Sequence, residues 1–356
     1  RDRYRKKMLN MSTNSIVLQT ESLCDLQDIK EAKSYIRSYI RNTPLIQSMF
    51  LSNNITGGNV FLKLENMQFT GSFKFRGALN KILHLSDEQK EKGIITASAG
   101  NHAQGLALTG KLLDIKTTVI MPNEAPIAKQ EATRGYGAEV ILEGDTFNDS
   151  RIYMEKMAKE TGKTIVHPYD DSEVMAGQGT IGLEILDSIW NVDTVILPVG
   201  GGGLISGVAT ALKSFNPNIH IIGVQSENVH GMATSIEQGT ITSQFTDHTI
   251  ADGTEVAIPG NKTFEVVDKL VDEFVLVSEE EISSAMRHLM QRTKIITEGA
   301  GALPTAALIS DKIPSCYLKE KNIVALVSGG NVDLTRVSDI MDHLFKPADT
   351  SEGVVG

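Results

Sequence analysis

Thr194-Val195-Ile196-Leu197-Pro198-Val199-Gly200-Gly201-Gly202-Gly203-Leu204-Ile205-Ser206-Gly207-Val208-Ala209-Thr210-Ala211-Leu212 sets the architecture of this chain. Residues 194–197 read as a short buried strand and residues 204–212 as an apolar helix packed on it. Ile219-His220-Ile221-Ile222-Gly223-Val224 then supplies the next strand, which completes a strand, loop, helix, strand unit of about thirty residues. In such a unit the four glycines fall where the carboxyl end of a parallel strand meets a helix N-terminus. Bare amides and the helix dipole both favour an anion there. By itself a glycine run is a flexible turn; between this strand and this helix it reads as a phosphate cradle.

The pattern extends outward on both sides. From Gly93 onward, apolar runs of four to six residues alternate with segments of helical period, as in parallel α/β sheets. Strands are expected at residues 94–97, 117–121, 139–142 and 164–167, and a second series at 194–197, 219–224, 274–277 and 323–327. Helices include residues 279–292 and 299–309; a strand at 61–64 precedes a helix at 75–83. This is an α/β protein with two open, twisted, mostly parallel-sheet domains. Residues 93–170 form a small domain inserted into a large one made of residues 26–92 and 171–345. Residues 346–356 read as a flexible tail and residues 1–25 as a disordered lead. The opening residues 1–7 are basic, but no long apolar core follows, as a secretory signal would need. An organelle presequence is the competing reading, with Asp2 and Glu21 against it, and Met8 and Met11 leave the natural start open.

Composition narrows the function. A formal net charge of −10 disfavours nucleic acid and anionic membranes as partners, and no run of eighteen apolar residues exists to span a bilayer. Cys24 and Cys316 show no metal or disulfide spacing, which suits a reducing cytoplasm and implies no structural metal. A small molecule is the expected partner.

Thr70-Gly71-Ser72-Phe73-Lys74-Phe75-Arg76-Gly77 adds a second chemical feature. Read alone, a lysine between phenylalanines is a surface residue with a buried stem. Beside a phosphate cradle it becomes an amine able to form a Schiff base, provided its pocket lowers its pKa. An amine and a phosphate cradle together suggest pyridoxal phosphate. Three junctions share the strand, glycine loop, helix design: residues 96–102, the tetraglycine run, and Leu326-Val327-Ser328-Gly329-Gly330-Asn331. Either they converge on one crevice at the strands' carboxyl ends or they are three ordinary connections. Spacing supports both readings equally.

Taken together, residues 70–77, 98–105, 200–204, 298–303 and 328–333 resemble the serine/threonine dehydratase branch of the fold-type II pyridoxal phosphate enzymes, whose fold is tryptophan synthase β-like. The resemblance runs from about Lys30 to Ile340. Gly177-Gln178-Gly179-Thr180-Ile181-Gly182-Leu183-Glu184 and residues 223–232 look closest to the short catabolic threonine dehydratases, which lack a C-terminal regulatory domain. The resemblance implies that Lys74 carries the cofactor and removes the substrate Cα proton. It assigns the phosphate to Gly200, Gly201, Gly202 and Gly203, the ring face to Phe73, and the ring hydroxyl to Asn101. Ser98, Ala99, Gly100, Asn101 and His102 would grip the substrate carboxylate, largely through backbone amides. For His102 a local hydrogen bond competes with proton transfer, and for Glu298 a helix-start carboxylate competes with positioning the ring.

Ser328 matches the neutral hydroxyl facing the pyridine nitrogen, which weakens the electron sink and suits prompt β-elimination. The implied activity is deamination of L-threonine to 2-oxobutanoate and ammonia, with L-serine to pyruvate second, since one methyl is worth only ~1–3 kcal/mol. Racemases of this branch carry a serine where this chain has Ala99, and an acidic metal ligand where it has Gln225. Serine racemase is therefore the nearest rival, and a non-catalytic cofactor-binding sensor is the rival from another class. Catabolic members are often activated by AMP at a subunit interface. Phe69, Thr70, Gln104, Tyr136 and Asn331 are the candidate contacts here, although Phe69 is not the basic residue expected. Homodimers or homotetramers are implied as well.

Overall fold

The structure is a computed structural model and describes residues 23–342. The expectations for most of the lead (1–22) and for the tail (346–356) lie outside the described residues. Two sheets organise the chain. A six-stranded sheet has the order β1 (Leu45–Gln47), β2 (Asn59–Leu64), β10 (Asn322–Val327), β7 (Thr194–Pro198), β8 (His220–Ser226), β9 (Glu273–Val277). Within it only the β1–β2 pair is antiparallel. A four-stranded parallel sheet has the order β5 (Glu139–Leu142), β4 (Thr117–Met121), β3 (Ile94–Ala97), β6 (Thr164–Ile165). Thus one continuous stretch builds the smaller sheet, and the chain on either side of it builds the larger.

The strand sequences fit this arrangement. β3, β4 and β7 are buried at every position, so they run apolar without alternation, as strands covered on both faces do. At the edge of the small sheet, β5 exposes Glu139. The helices that shape the site are α1 (Leu26–Ile36), α2 (Lys74–Leu83), α3 (Asn101–Leu113), α4 (Ile127–Gly135), α5 (Ser172–Ser188), α6 (Gly203–Phe215), α7 (Asn261–Leu270), α8 (Glu279–His288) and α9 (Gly299–Ile309). Glycines let α5 lie against its neighbours at backbone distance. A Cβ on Gly177 would sit 2.6 Å from the Arg76 carbonyl oxygen of α2, and one on Gly207 of α6 only 2.1 Å from that of Met175. Those contacts are why the 177–184 motif is rich in glycine.

Several boundaries differ from the sequence reading. The strand expected at 164–167 ends at Ile165, because the next residues turn: His167 Nδ1 accepts the Asp170 N–H at 2.8 Å, and Pro168 has no N–H for a ladder. The helix expected at 279–292 is regular only to His288. A π-helical turn, Leu289–Thr293, follows and is closed by Lys294 at φ 61°. Order begins before residue 26: Cys24 is buried, and Asp25 caps α1 by accepting the N–H groups of Gln27 and Asp28. β1, only three residues long, carries too little pattern to be seen in advance.

Candidate active site

The Lys74 motif is pinned to the loop after β10. Phe73 N–H donates to Ser328 O at 3.1 Å, Gly330 N–H donates to Gly71 O at 2.9 Å, and Ser72 bridges Gly329. Thr70 is held in the left-handed region, φ 65°, where Asn331 Nδ2 donates to its carbonyl at 2.7 Å. A non-glycine residue in that region costs about 1–3 kcal/mol and persists only where its surroundings hold it. The outcome is that Lys74 starts α2 rather than sitting in a loop. It keeps a sliver of accessible surface, yet its Nζ is enclosed by protein and donates to Pro168 O at 2.8 Å. Burial brings its pKa down to about 8, with Glu298 pulling the other way. The surface-lysine alternative is thereby excluded.

Asn101 joins the junctions. Its Oδ1 accepts from Asn331 Nδ2 at 2.7 Å, and its Nδ2 donates to Glu298 Oε1 at 2.6 Å. The amide has a second N–H available for a ring hydroxyl. Glu298 is the N-cap residue of α9, yet its side chain caps nothing there. It accepts from Asn101 instead of from the first-turn amides. Burial, then the nearby Asp252 charge, raises its carboxyl to about 8, against Asn101, Lys129 and the Asn331 N–H. Two groups that titrate near the same pH thus sit in one site, an arrangement associated with function.

The loop expected to grip the substrate carboxylate lies where β3 passes into α3. Ser98 Oγ accepts the Gly100 N–H at 3.3 Å, and Gly100 starts α3 without a side-chain cap, which leaves first-turn amides for an anion. Ala99 packs partly buried against the apolar face of the small sheet. For the His102 ring the structure shows the hydrogen-bonded reading rather than proton transfer. His102 lies in the first turn of α3, is buried, and its Nε2 hydrogen-bonds Val166 O at 3.0 Å. Burial and the Lys74 charge lower its pKa to about 3, so it is neutral and locally bonded rather than a proton donor.

The tetraglycine run occupies the β7–α6 junction. Gly202 takes φ 96°, open to glycine at little cost, and α6 begins without a capping side chain. The loop is tied to the rest of the site by two segments that sequence reasoning missed. A 3₁₀ turn, Asp252–Thr254, lies between Gly200 and Glu298: a Cβ on Gly200 would be 3.0 Å from Thr254 Cα, and one on Gly253 3.5 Å from Glu298 Oε1. The crossover His167-Pro168-Tyr169-Asp170 contacts both Lys74 and the glycines. A Cβ on Gly201 would meet the Tyr169 ring at 2.5 Å. The His-Pro turn was a usable signal for the crossover; nothing local marks Asp252. Of the two readings of the junctions, convergence is the one the structure shows.

These residues fit pyridoxal phosphate. A lysine with a lowered pKa, uncapped amides at a glycine loop and an asparagine with a spare N–H are the donors such a group needs, and Thr70 and Ser72 bring buried hydroxyls without partners among the described residues. No cluster of three or more metal-ligating side chains occurs among the described residues, and both ends of the Gln225 amide are engaged, by Val199 O and by the Ala233 N–H.

Known proteins agree with this geometry. Residues 36–329 match the family model described as pyridoxal-phosphate dependent enzyme. A catabolic L-threonine dehydratase of Staphylococcus aureus (strain N315) is 70% identical over 346 residues, covering 97% of this chain and all of that protein. Among solved structures, maize serine racemase superposes with a TM-score of 0.86 at 36% identity, covering 91% of this chain and 98% of its own. A T.th. threonine deaminase superposes at 0.81 with 39% identity, covering 87% of this chain and 99% of its own. The chain belongs to the pyridoxal-phosphate dependent enzyme family, with the fold of its fold-type II members and pyridoxal phosphate as cofactor.

Proposed function

We propose that this enzyme is an L-threonine dehydratase, a lyase that converts L-threonine to 2-oxobutanoate and ammonia, with L-serine to pyruvate as a secondary reaction. The observation that carries the reading is the environment of Lys74: an enclosed amine with a pKa of about 8, held by Pro168 O beside a phosphate-type cradle. The 70% identity to a catabolic L-threonine dehydratase supplies the substrate. When bound, the cofactor offers an aldehyde to the substrate amine and a conjugated ring to the electron pair left at Cα. Lys74, neutral for a useful fraction of time near pH 8, takes the Cα proton. The amides at the start of α3 hold the substrate carboxylate, and Asn101 orients the ring through its spare N–H. Glu298, largely protonated at pH 7, keeps net negative charge out of the site. Ser328 would offer a neutral hydroxyl to the ring nitrogen. The proton removed from Cα balances the one that the β-hydroxyl needs to depart as water, and the enamine released tautomerises to an imine that water hydrolyses to the keto acid and ammonia.

Racemisation needs a proton carrier on the face opposite the lysine, and the methyl group of Ala99 cannot be one. The maize serine racemase superposition therefore supports the fold and not that activity. We take residues 93–170 as the small, substrate-gripping domain. The reading includes a cytoplasmic homodimer or homotetramer; no described helix is long and apolar enough to cross a membrane. It also includes AMP as an effector at Phe69, Thr70, Gln104, Tyr136 and Asn331. Phe69 lacks a charge, but the Arg41 guanidinium stands 4.3 Å over its ring and supplies one. The test is an absorbance spectrum of purified protein, then L-threonine addition with 2-oxobutanoate detection. The expected result is a visible band of lysine-bound cofactor and keto acid formation, both absent in Lys74→Ala. A band without product would overturn the dehydratase reading. AMP that leaves the KM for threonine unchanged would remove the effector.

A further inference from the structure

α7 begins without a cap of its own. Its N-cap residue is Gly260, which has no side chain to accept a first-turn N–H. The acceptor comes from a distant part of the chain. Asp170 Oδ2 accepts the Asn261 N–H at 3.1 Å, while Oδ1 accepts those of Lys262 at 2.8 Å and Thr263 at 3.1 Å. Gly260 is glycine because this carboxylate stands in its way: a Cβ there would lie 2.4 Å from Asp170 Cγ. A carboxylate on three first-turn amides complements the helix dipole and makes charge-assisted hydrogen bonds.

The same first turn of α7 holds the glycine loop. Thr263 Oγ1 donates to Gly201 O at 2.6 Å; its other acceptor within reach, Gly260 O, is longer at 3.2 Å. One hydroxyl has one proton, and the shorter bond claims it. The carbonyl of Gly201 and the N–H of Gly202 belong to one planar peptide, so fixing the oxygen fixes the direction of the amide. Thr263 also crowds Gly202, where a Cβ would lie 2.8 Å from Thr263 Cβ. Four consecutive glycines have more backbone freedom to lose than any other tetrapeptide, and an untethered loop would lose it on binding its ligand.

We propose that Asp170 is a positioning residue for the tetraglycine cradle, acting through Thr263: it seats the first turn of α7 so that the Thr263 hydroxyl holds the Gly201–Gly202 peptide in its phosphate-binding orientation. This rests on the reading of residues 200–203 as the phosphate cradle. The crossover thereby serves both ends of the cofactor, with Pro168 on the lysine and Asp170 on the cradle. The dependence is specific to the phosphate. It predicts a loss for pyridoxal phosphate and none for pyridoxal, which has the aldehyde and ring but no phosphate.

The experiment measures equilibrium binding of pyridoxal phosphate and of pyridoxal to the cofactor-free full chain, for the unmodified protein, Thr263→Val, Asp170→Asn, Asp170→Ala and the double variant. Thr263→Val is expected to weaken pyridoxal phosphate about tenfold, the scale of one hydrogen bond in a buried site, and to leave pyridoxal unchanged. Asp170→Ala should do at least as much, and adding Thr263→Val to it should cost little more, because the two act in series. Unchanged pyridoxal phosphate affinity in Thr263→Val would overturn the proposal. So would equal weakening of both ligands, the signature of an Asp170 that only stabilises α7. Should Asp170→Ala not fold, Thr263→Val and Asp170→Asn decide the matter. An unmodified protein that binds pyridoxal as tightly as pyridoxal phosphate would instead refute the cradle reading itself.

Discussion

Lys74 and Arg76 stand in the first turn of one helix, Arg76 fully buried and Lys74 with a part of its surface still accessible, and their surroundings treat their charges in opposite ways. Arg76 Nε and Nη2 donate to the two oxygens of Glu65, each at 2.8 Å, and Nη1 and Nη2 donate to Glu184 at 2.7 and 2.9 Å. Lys63 Nζ completes the cluster, donating to Glu184 at 2.6 Å and to Thr43 O at 2.7 Å. Two cations face two carboxylates. Burial pushes the Arg76 guanidinium pKa down, and Glu65 and Glu184 more than reverse it. Burial likewise pushes Glu184 up, and Arg76 and Lys63 more than reverse that. Lys74 has a neutral carbonyl as its hydrogen-bond partner and, as its nearby carboxyl, a Glu298 that itself holds its proton to about 8. Burial alone therefore does not set a charge state. Pairing keeps the structural cation charged, and incomplete pairing makes its neighbour reactive.

Four substitutions probe this contrast. Lys74→Ala removes the proposed base and should lower kcat for threonine on the order of 10⁴-fold, while the cofactor-free protein, relieved of a buried amine with a lowered pKa, should unfold in urea at a midpoint no lower than before at neutral pH. A variant that kept its turnover would abolish the contrast. Arg76→Met should act in the reverse sense, on stability first. It strands buried carboxylates with Lys63 alone and should cost about 3–5 kcal/mol in urea unfolding. A loss confined to activity would show that the cluster is not structural.

Glu298→Gln tests the uncompensated side through pH. In the cofactor-free protein the Glu298 carboxyl titrates at about 8, above its ordinary 4.5, so the folded state retains a proton that the unfolded state releases. Stability from this group is fully present below pH 4.5 and is lost as pH rises through about 8. Lys74 has the opposite sign: its lowered value makes stability fall as pH drops from 10.5 through about 8. Glu298→Gln should therefore flatten the decline between pH 4.5 and 8, a change on the order of a few kcal/mol in urea titrations. An unaltered slope would place the titration elsewhere. The smallest effect belongs to Asp252→Asn, which breaks the 2.9 Å pair with Lys129 and removes the largest charge raising Glu298. Both side chains are over a third exposed, so the stability change should stay within about 0–1 kcal/mol. Its informative readout is a downward shift of the Glu298 titration.

Much of this was legible in the chain. Buried parallel strands run apolar and end in glycine loops, so the two strand series, the tetraglycine junction and the lysine motif could be read from local pattern and from resemblance. Arg76, by contrast, entered the sequence reading only as a letter in the lysine motif, since its partners Glu65, Thr180 and Glu184 lie on other elements. Glu298 left two roles open, and for His102 the sequence could not choose between a hydrogen bond and proton transfer, a choice made by the Val166 carbonyl that folding brings to its ring. Asp170 and Thr263 had no local signal: a helix capped from another part of the chain looks, in sequence, like a helix that begins at glycine.

Which segments become strands and helices, and where bare amides and an amine would be offered, was written in the sequence, because periodicity, glycine and chain order are local properties. Which charges are paired was settled by tertiary structure alone. The electrostatics of Lys74, Arg76 and Glu298 depend on neighbours brought within a few ångströms by folding, and Coulomb and desolvation energies answer to distance in space rather than along the chain.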